Sequence, residues 1–190
     1  MNKLTSYIIS ILSILIIFTV VGLPNQNQQT NSSYLESVEN KSFIDTNTNG
    51  NPVVPSSILM YELLEKYSKK HNVPRYIAYN IAFKETRYKG PFDWDYDPER
   101  ISSAGAQGPM QVMPSTAKLI QGEVIPAEEL RTNLELNIET SMMLLEKLYN
   151  KYGSWKIVCG CYNTGQPIVN DYAIYCSSNK DYTKKWEFYE

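Results

Sequence analysis

The residues with the clearest chemical potential lie between Ile81 and Ala117, in IAFKETRYKGPFDWDYDPERISSAGAQGPMQVMPSTA. Ala78, Ile81, Ala82 and Glu85 fall at i, i+3, i+4 and i+7, along one face of a helix. Glu85 thus ends an apolar stripe, whereas a surface glutamate belongs on the opposite, solvated face. Partial burial there disfavours the charged carboxylate and raises its pKa. A glutamic acid that keeps its proton near neutral pH can act as a general acid. The competing reading is a helix-end glutamate paired with Lys84 or Arg87. Ala104, Gly105, Ala106 and Gly108 then follow, small enough to let a ligand approach the backbone. Met110 adds an adaptable apolar contact, and Gln111 an amide able to bond a hydroxyl or acetamido group. Far downstream, CYNTG supplies Tyr162 and Asn163. Taken singly these are weak signals, since glycine-rich loops are usually turns and most tyrosines are core.

Other chemistries find less support. The single histidine, His71, argues against a zinc site. It lies in the KKHNVP link between two helices and reads as solvated. Cys159, Cys161 and Cys176 make an odd set. Cys161–Cys176 or Cys159–Cys176 can pair in an oxidising compartment, or all three can be small buried hydrophobes. A formal net charge of -2 excludes a nucleic-acid footprint. Fifteen tyrosines and three tryptophans suit sugar surfaces, although by count alone they suit a core better.

The elements that position these residues read as helices. SSILMYELLEKYSKKH places Leu59, Leu63, Leu64 and Tyr67 at helical spacing, opened by Pro55 with Ser56 or Ser57. Pro74 starts RYIAYNIAFKETRY, the helix that carries Glu85. PSTAKLIQ and IPAEELRT are short. NLELNIETSMMLLEKLYNKYG is the longest, with Ile138, Met142, Leu145, Tyr149 and Tyr152 on one side and Gly153 as its stop. SWKIVCGCYNTG, PIVNDYAIYC and KDYTKKWEFYE follow. No segment reads as a strand, but Gly90 to Met113 leaves room for a small hairpin.

At 190 residues and 43% hydrophobic the chain supports one ordinary domain. Residues 1–23 stand apart: Leu4 to Leu23 carries no charge and approaches the ~20 apolar residues that span a bilayer. An uncleaved anchor, with Lys3 cytoplasmic and the remainder exported, is favoured over a cleaved signal peptide. Residues 24–55, rich in Asn, Gln, Ser and Thr, read as a disordered polar tether. The globular domain is then 56–190.

Taken in order, KET at the helix end, SSAGAQGPMQVMPSTA, NI in the long helix, and YNTGQPIV with a tyrosine three residues on form a specific set. It resembles the soluble lytic transglycosylase domain, whose fold is shared with goose-type lysozyme. The family pattern runs roughly E-S, S-x-x-G-A-x-G-L-M-Q-x-M-P-x-T-A, N-I, and A-Y-N-A-G-x-G-x-V-x-x-Y. The resemblance covers about Ser56 to Tyr182. It implies a mainly α, lysozyme-like domain with a cleft, and cleavage of the β-1,4 bond between N-acetylmuramic acid and N-acetylglucosamine in peptidoglycan. It makes Glu85 the single acid/base, and Ser102, Gly105, Gly108, Met110, Gln111, Tyr162 and Asn163 substrate-binding residues. Asn137 and Ile138 match a structural signature. The expected partner is the glycan strand, with no metal, no cofactor and a monomeric enzyme. The expected location is the periplasm or cell envelope, with residues 4–23 as an inner-membrane anchor.

The chain also departs from the pattern. Thr86 stands for serine, Pro109 for leucine, Ser141 for glycine and Cys161 for alanine. The late E-T-x-x-Y-V stretch is poorly matched: if Tyr182 supplies its tyrosine, Ser178 replaces its glutamate. The largest departure is an insertion, GPFDWDYDPE, between Glu85 and Ser102. Trp94 within it is a further candidate glycan contact. Asp93, Asp95, Asp97 or Glu99 would make the enzyme a lysozyme-type hydrolase if one reached the cleft and activated water. The plainer reading makes these acids a solvated loop surface. A non-catalytic peptidoglycan-binding module is a third reading, against which the retained Glu85 speaks.

Overall fold

In the computed structural model of the chain, residues 54–181 are described. The expected N-terminal anchor or signal helix and nearly all of the expected tether lie outside them, as does the segment from Tyr182 onward. Among the described residues seven α-helices follow in order: α1 Ser56–Lys70, α2 Arg75–Thr86, α3 Pro114–Gln121, α4 Ala127–Thr132, α5 Leu134–Tyr152, α6 Trp155–Thr164 and α7 Asp171–Ser178. Among the described residues no helix is long and apolar enough to cross a membrane.

Helix boundaries follow local chemistry. Pro114 occupies the first position of α3, where its missing N–H is not needed. Asn133 caps α5 by accepting the Leu136 N–H, and Asn170 caps α7 by accepting from Ala173. Gly122, Gly153 and Gly165 end α3, α5 and α6 in the left-handed conformation. α1 begins at Ser56 without a side-chain cap, because Pro55 at its N-cap has no side-chain acceptor; the Ser57 hydroxyl donates to the Pro91 carbonyl at 3.0 Å.

The long helix α5 is the hub. α1, α3, α4 and α6 pack against it, while α2 packs on α1 and α7, and α7 on α6. Leu64, Ile77, Ile81, Met110, Ile138, Met142, Leu145 and Val158 are fully buried where these helices meet. Asn80, also fully buried, donates to the carbonyls of Cys176 at 3.0 Å and Asn179 at 2.8 Å, which fixes the end of α7 on α2. Gly160 permits the closest approach: a Cβ there would stand 1.7 Å from the Ile168 carbonyl oxygen.

Several expectations are corrected. The hairpin between Gly90 and Met113 is not built from strands; two isolated antiparallel bridges, Ile101 with Gln107 and Gln107 with Val112, shape the loop instead. His71 is not solvated. Its Nδ1 lies 2.8 Å from Glu146 and its Nε2 4.0 Å from Glu139, in the α1–α5 seam. Tyr149, expected on the core side of α5, is 38% exposed and stacks on Trp155. Cys159, Cys161 and Cys176 are buried free thiols, so neither disulfide is formed.

Candidate active site

Glu85 lies in the last turn of α2, and its face is set by the buried residues Ala78, Ile81 and Ala82. The chain then leaves the helix through Arg87 in a left-handed turn, φ 65°. Neither competing partner of Glu85 takes the carboxylate: the Arg87 guanidinium lies over the Phe83 ring, and the Lys84 ammonium lies 5.0 Å from the Tyr175 ring centre. The Tyr172 hydroxyl donates to Glu85 Oε1 at 2.5 Å. Burial raises the Glu85 pKa above the usual carboxylate range; the Tyr172 hydrogen bond and the Lys84 charge oppose it without cancelling it. Tyr162 and Tyr172 are in turn pushed upward, by burial first and then by the Glu85 charge, so both remain neutral hydrogen-bonding groups.

The loop opposite is held from beneath. Asn137 on α5 is fully buried and donates to Gln107 O at 2.9 Å and Leu130 O at 2.8 Å, while its Oδ1 accepts the Met110 N–H at 3.0 Å. Gly108, at φ 72°, passes so close that a Cβ would lie 2.6 Å from Asn137 Nδ2. Thr86, next to the acid, donates to Pro109 O at 2.9 Å and lies 2.9 Å from the Tyr96 hydroxyl. One buried threonine therefore ties α2 to the glycine-rich loop and to the insertion.

The sequence-derived residues take different places. Tyr162 donates to Met110 O at 2.7 Å and lies 3.2 Å from Ser141 Oγ, so it braces the loop against α5. The Met110 side chain is fully buried; contrary to expectation it offers no apolar surface contact and acts through its backbone. Gln111, at φ 51°, donates its amide to Arg100 O and Gly108 O, which aligns the turn. Ser102 Oγ accepts the Ala106 N–H at 2.9 Å and closes the preceding turn. Gly105 faces open space. Asn163 is exposed, and its Oδ1 accepts from Asn170. Trp94 is 59% exposed on the insertion. The contact missed by sequence reasoning is Tyr172. It is the tyrosine three residues after YNTGQPIV, visible in the motif but without a role until α7 packs on α2.

The arrangement is a helical domain in which one protonatable carboxyl faces a tyrosine wall and a backbone-lined turn. Its fold is found in the 70-kDa soluble lytic transglycosylase solved with bulgecin A (TM-score 0.51, 20% identity, 67% of this chain and 24% of that one). An inactive mutant of the lytic transglycosylase Slt from Pseudomonas aeruginosa gives a TM-score of 0.49 at 17% identity, covering 64% of this chain and 22% of that one. The chain thus spans about a quarter of the length of these solved chains. Residues 62–185 match the family model described as the transglycosylase SLT domain, and the chain belongs to that family. No curated protein matches it.

Proposed function

We propose that the protein is a peptidoglycan lytic transglycosylase in which Glu85 is the single acid/base. The observation that carries this reading is the half-buried Glu85 carboxyl, held by Tyr172 and with its pKa raised by burial. Glu85 protonates the glycosidic oxygen between N-acetylmuramic acid and N-acetylglucosamine, and the bond to the anomeric carbon breaks. The muramoyl acetamido group stabilises the positive charge there. Glu85, now a carboxylate, takes the proton from the 6-hydroxyl of the same sugar, whose oxygen closes the 1,6-anhydro ring. No water is consumed.

A two-carboxylate glycosidase needs its second carboxyl within ~5–9.5 Å of the first. Three of the four insertion acids have local partners instead, and the fourth, Asp95, is exposed. Asp93 faces Lys89 at 3.9 Å, Asp97 accepts the Glu99 N–H, and Glu99 faces Arg131 at 3.9 Å. The charged group that acts on Glu85 is the Lys84 ammonium. Both facts support anhydro-ring closure over hydrolysis. Ser102, Gly105, Gly108, Met110 and Gln111 would present a backbone-lined surface to the glycan, with Asn163 at its rim. The substrate places the domain, residues 56–190, in the cell envelope, with residues 1–23 as export signal or anchor and 24–55 as tether.

Digestion of purified sacculi followed by mass spectrometry tests the reading. Anhydromuramoyl ends are expected; reducing muramic ends would instead identify a hydrolase. Glu85→Gln should lower the rate at least ~10²-fold while leaving glycan binding largely intact. Undiminished digestion by that variant would refute the chemistry.

A further inference from the structure

The insertion Gly90 to Glu99 is built as a stiff arm. Asp93 N–H bonds Gly90 O and Tyr96 N–H bonds Asp93 O, giving two successive tight turns. Gly90, Pro91, Tyr96 and Pro98 are buried, whereas Phe92, Trp94, Asp95 and Asp97 are exposed. Each end is pinned. Pro91 O accepts from Ser57, whose own carbonyl accepts the Tyr88 hydroxyl at 2.8 Å. Tyr96 packs edge-on against Tyr88 at 4.9 Å and reaches Thr86 beside Glu85. This framework holds two large aromatics outside the core: Phe92 at 42% and Trp94 at 59% exposure, edge to face at 5.9 Å.

We propose that Phe92 and Trp94 form a sugar-stacking platform that binds an uncharged N-acetylhexosamine ring of the glycan strand outside the cleaved linkage. The inference rests on the transglycosylase reading of Glu85. Two chain positions separate Trp94 from Tyr96, at most about 7 Å of backbone, and Tyr96 is bonded to the residue after Glu85. The platform is thereby tied to the helix that carries the acid, and one strand serves both under this proposal. Loop charge selects the occupant. Gly90 to Glu99 contains four carboxylates and no cation; Asp93 and Glu99 face Lys89 and Arg131 from outside the loop, which leaves the exposed Asp95 and Asp97 to set its charge. Carboxylates accept hydrogen bonds from sugar hydroxyls but repel the anionic stem peptides of peptidoglycan, and nucleic acids or anionic lipids as well. A pinned arm loses little freedom on binding, which favours stacking on a preformed surface.

The test measures binding and turnover separately. In the Glu85→Gln protein, Trp94→Ala should weaken binding to long, peptide-free glycan strands about tenfold, and Trp94→Phe should restore most of it. With Glu85 intact, Trp94→Ala should lower the ratio of kcat/KM on long strands to kcat/KM on a tetrasaccharide by about the same factor. Unchanged strand affinity in a Trp94→Ala protein of normal melting temperature would overturn the platform. So would a loss confined to peptide-bearing strands, because the ligand would then be the stem. Failure of the Glu85 chemistry shows separately, as undiminished digestion by Glu85→Gln alone.

Discussion

A carboxyl acts as a proton donor only if its surroundings let it keep the proton. Glu85 meets this condition through burial, and the sign of the effect is testable. Its folded pKa lies above the unfolded value, so the protonated form is the favoured folded species. That favourable term is complete below the unfolded pKa and is lost as pH rises through the folded pKa. At pH above the folded pKa the ionised, buried carboxylate opposes folding, and Glu85→Gln should there raise the melting temperature. Calorimetry across pH should show this gain shrinking to nothing in acid below the ordinary carboxylate range. Under the proposed chemistry kcat/KM should fall as pH rises through the raised pKa of the same group. Tyr172→Phe removes a hydrogen bond that lowers the Glu85 pKa. The alkaline limb of the pH–rate profile should move to higher pH, with kcat reduced about tenfold by lost positioning. An unmoved limb would assign Tyr172 to packing alone.

At the scale of elements, the glycine-rich loop keeps its shape because α5 supplies hydrogen bonds from beneath. Asn137→Ala leaves the buried Met110 N–H without its acceptor and takes a donor from the Leu130 and Gln107 carbonyls, of which Gln107 keeps the Val112 N–H. At ~1–3 kcal/mol for a buried group left unsatisfied, urea denaturation should show a loss of at least about 1–3 kcal/mol. Gly108→Ala adds a Cβ 2.6 Å from the same side chain at a left-handed φ, and should lower stability and activity together. By contrast, the Lys66–Glu135 pair on the α1–α5 seam is exposed. Lys66→Ala should leave the melting temperature within error, since solvent screens such pairs. This contrast separates contacts that hold the site from contacts that decorate the surface.

At the scale of the molecule, α2, α6 and α7 converge although their functional residues are widely separated along the chain. Glu85 and Tyr172 are 87 residues apart, and Tyr162 and Met110 are 52 apart. The convergence depends on the close crossing of α6 beneath the α6–α7 turn at Gly160. Gly160→Ala forces a Cβ into the Ile168 carbonyl and should push α7, and Tyr172 with it, away from Glu85. Loss of the slow-exchanging amides of α7 in hydrogen exchange, together with loss of activity, would register that displacement.

The sequence by itself determined the local terms: the α2 stripe that ends in Glu85, the Pro114 start of α3, the Gly153 stop of α5, and the small-residue run before Met110. Each is written in the spacing of neighbouring residues, because helical period, capping and left-handed turns are local properties of the backbone. It left open how the insertion folds, and it misjudged His71 and the Met110 side chain. Tertiary structure decided that Met110 lies in the core, that His71 meets Glu146, that Thr86 joins the loop to the insertion, and that Tyr172 reaches the acid. The physical reason is that these contacts depend on how helices cross. Crossing is set by side-chain packing over the whole core, which no single segment encodes.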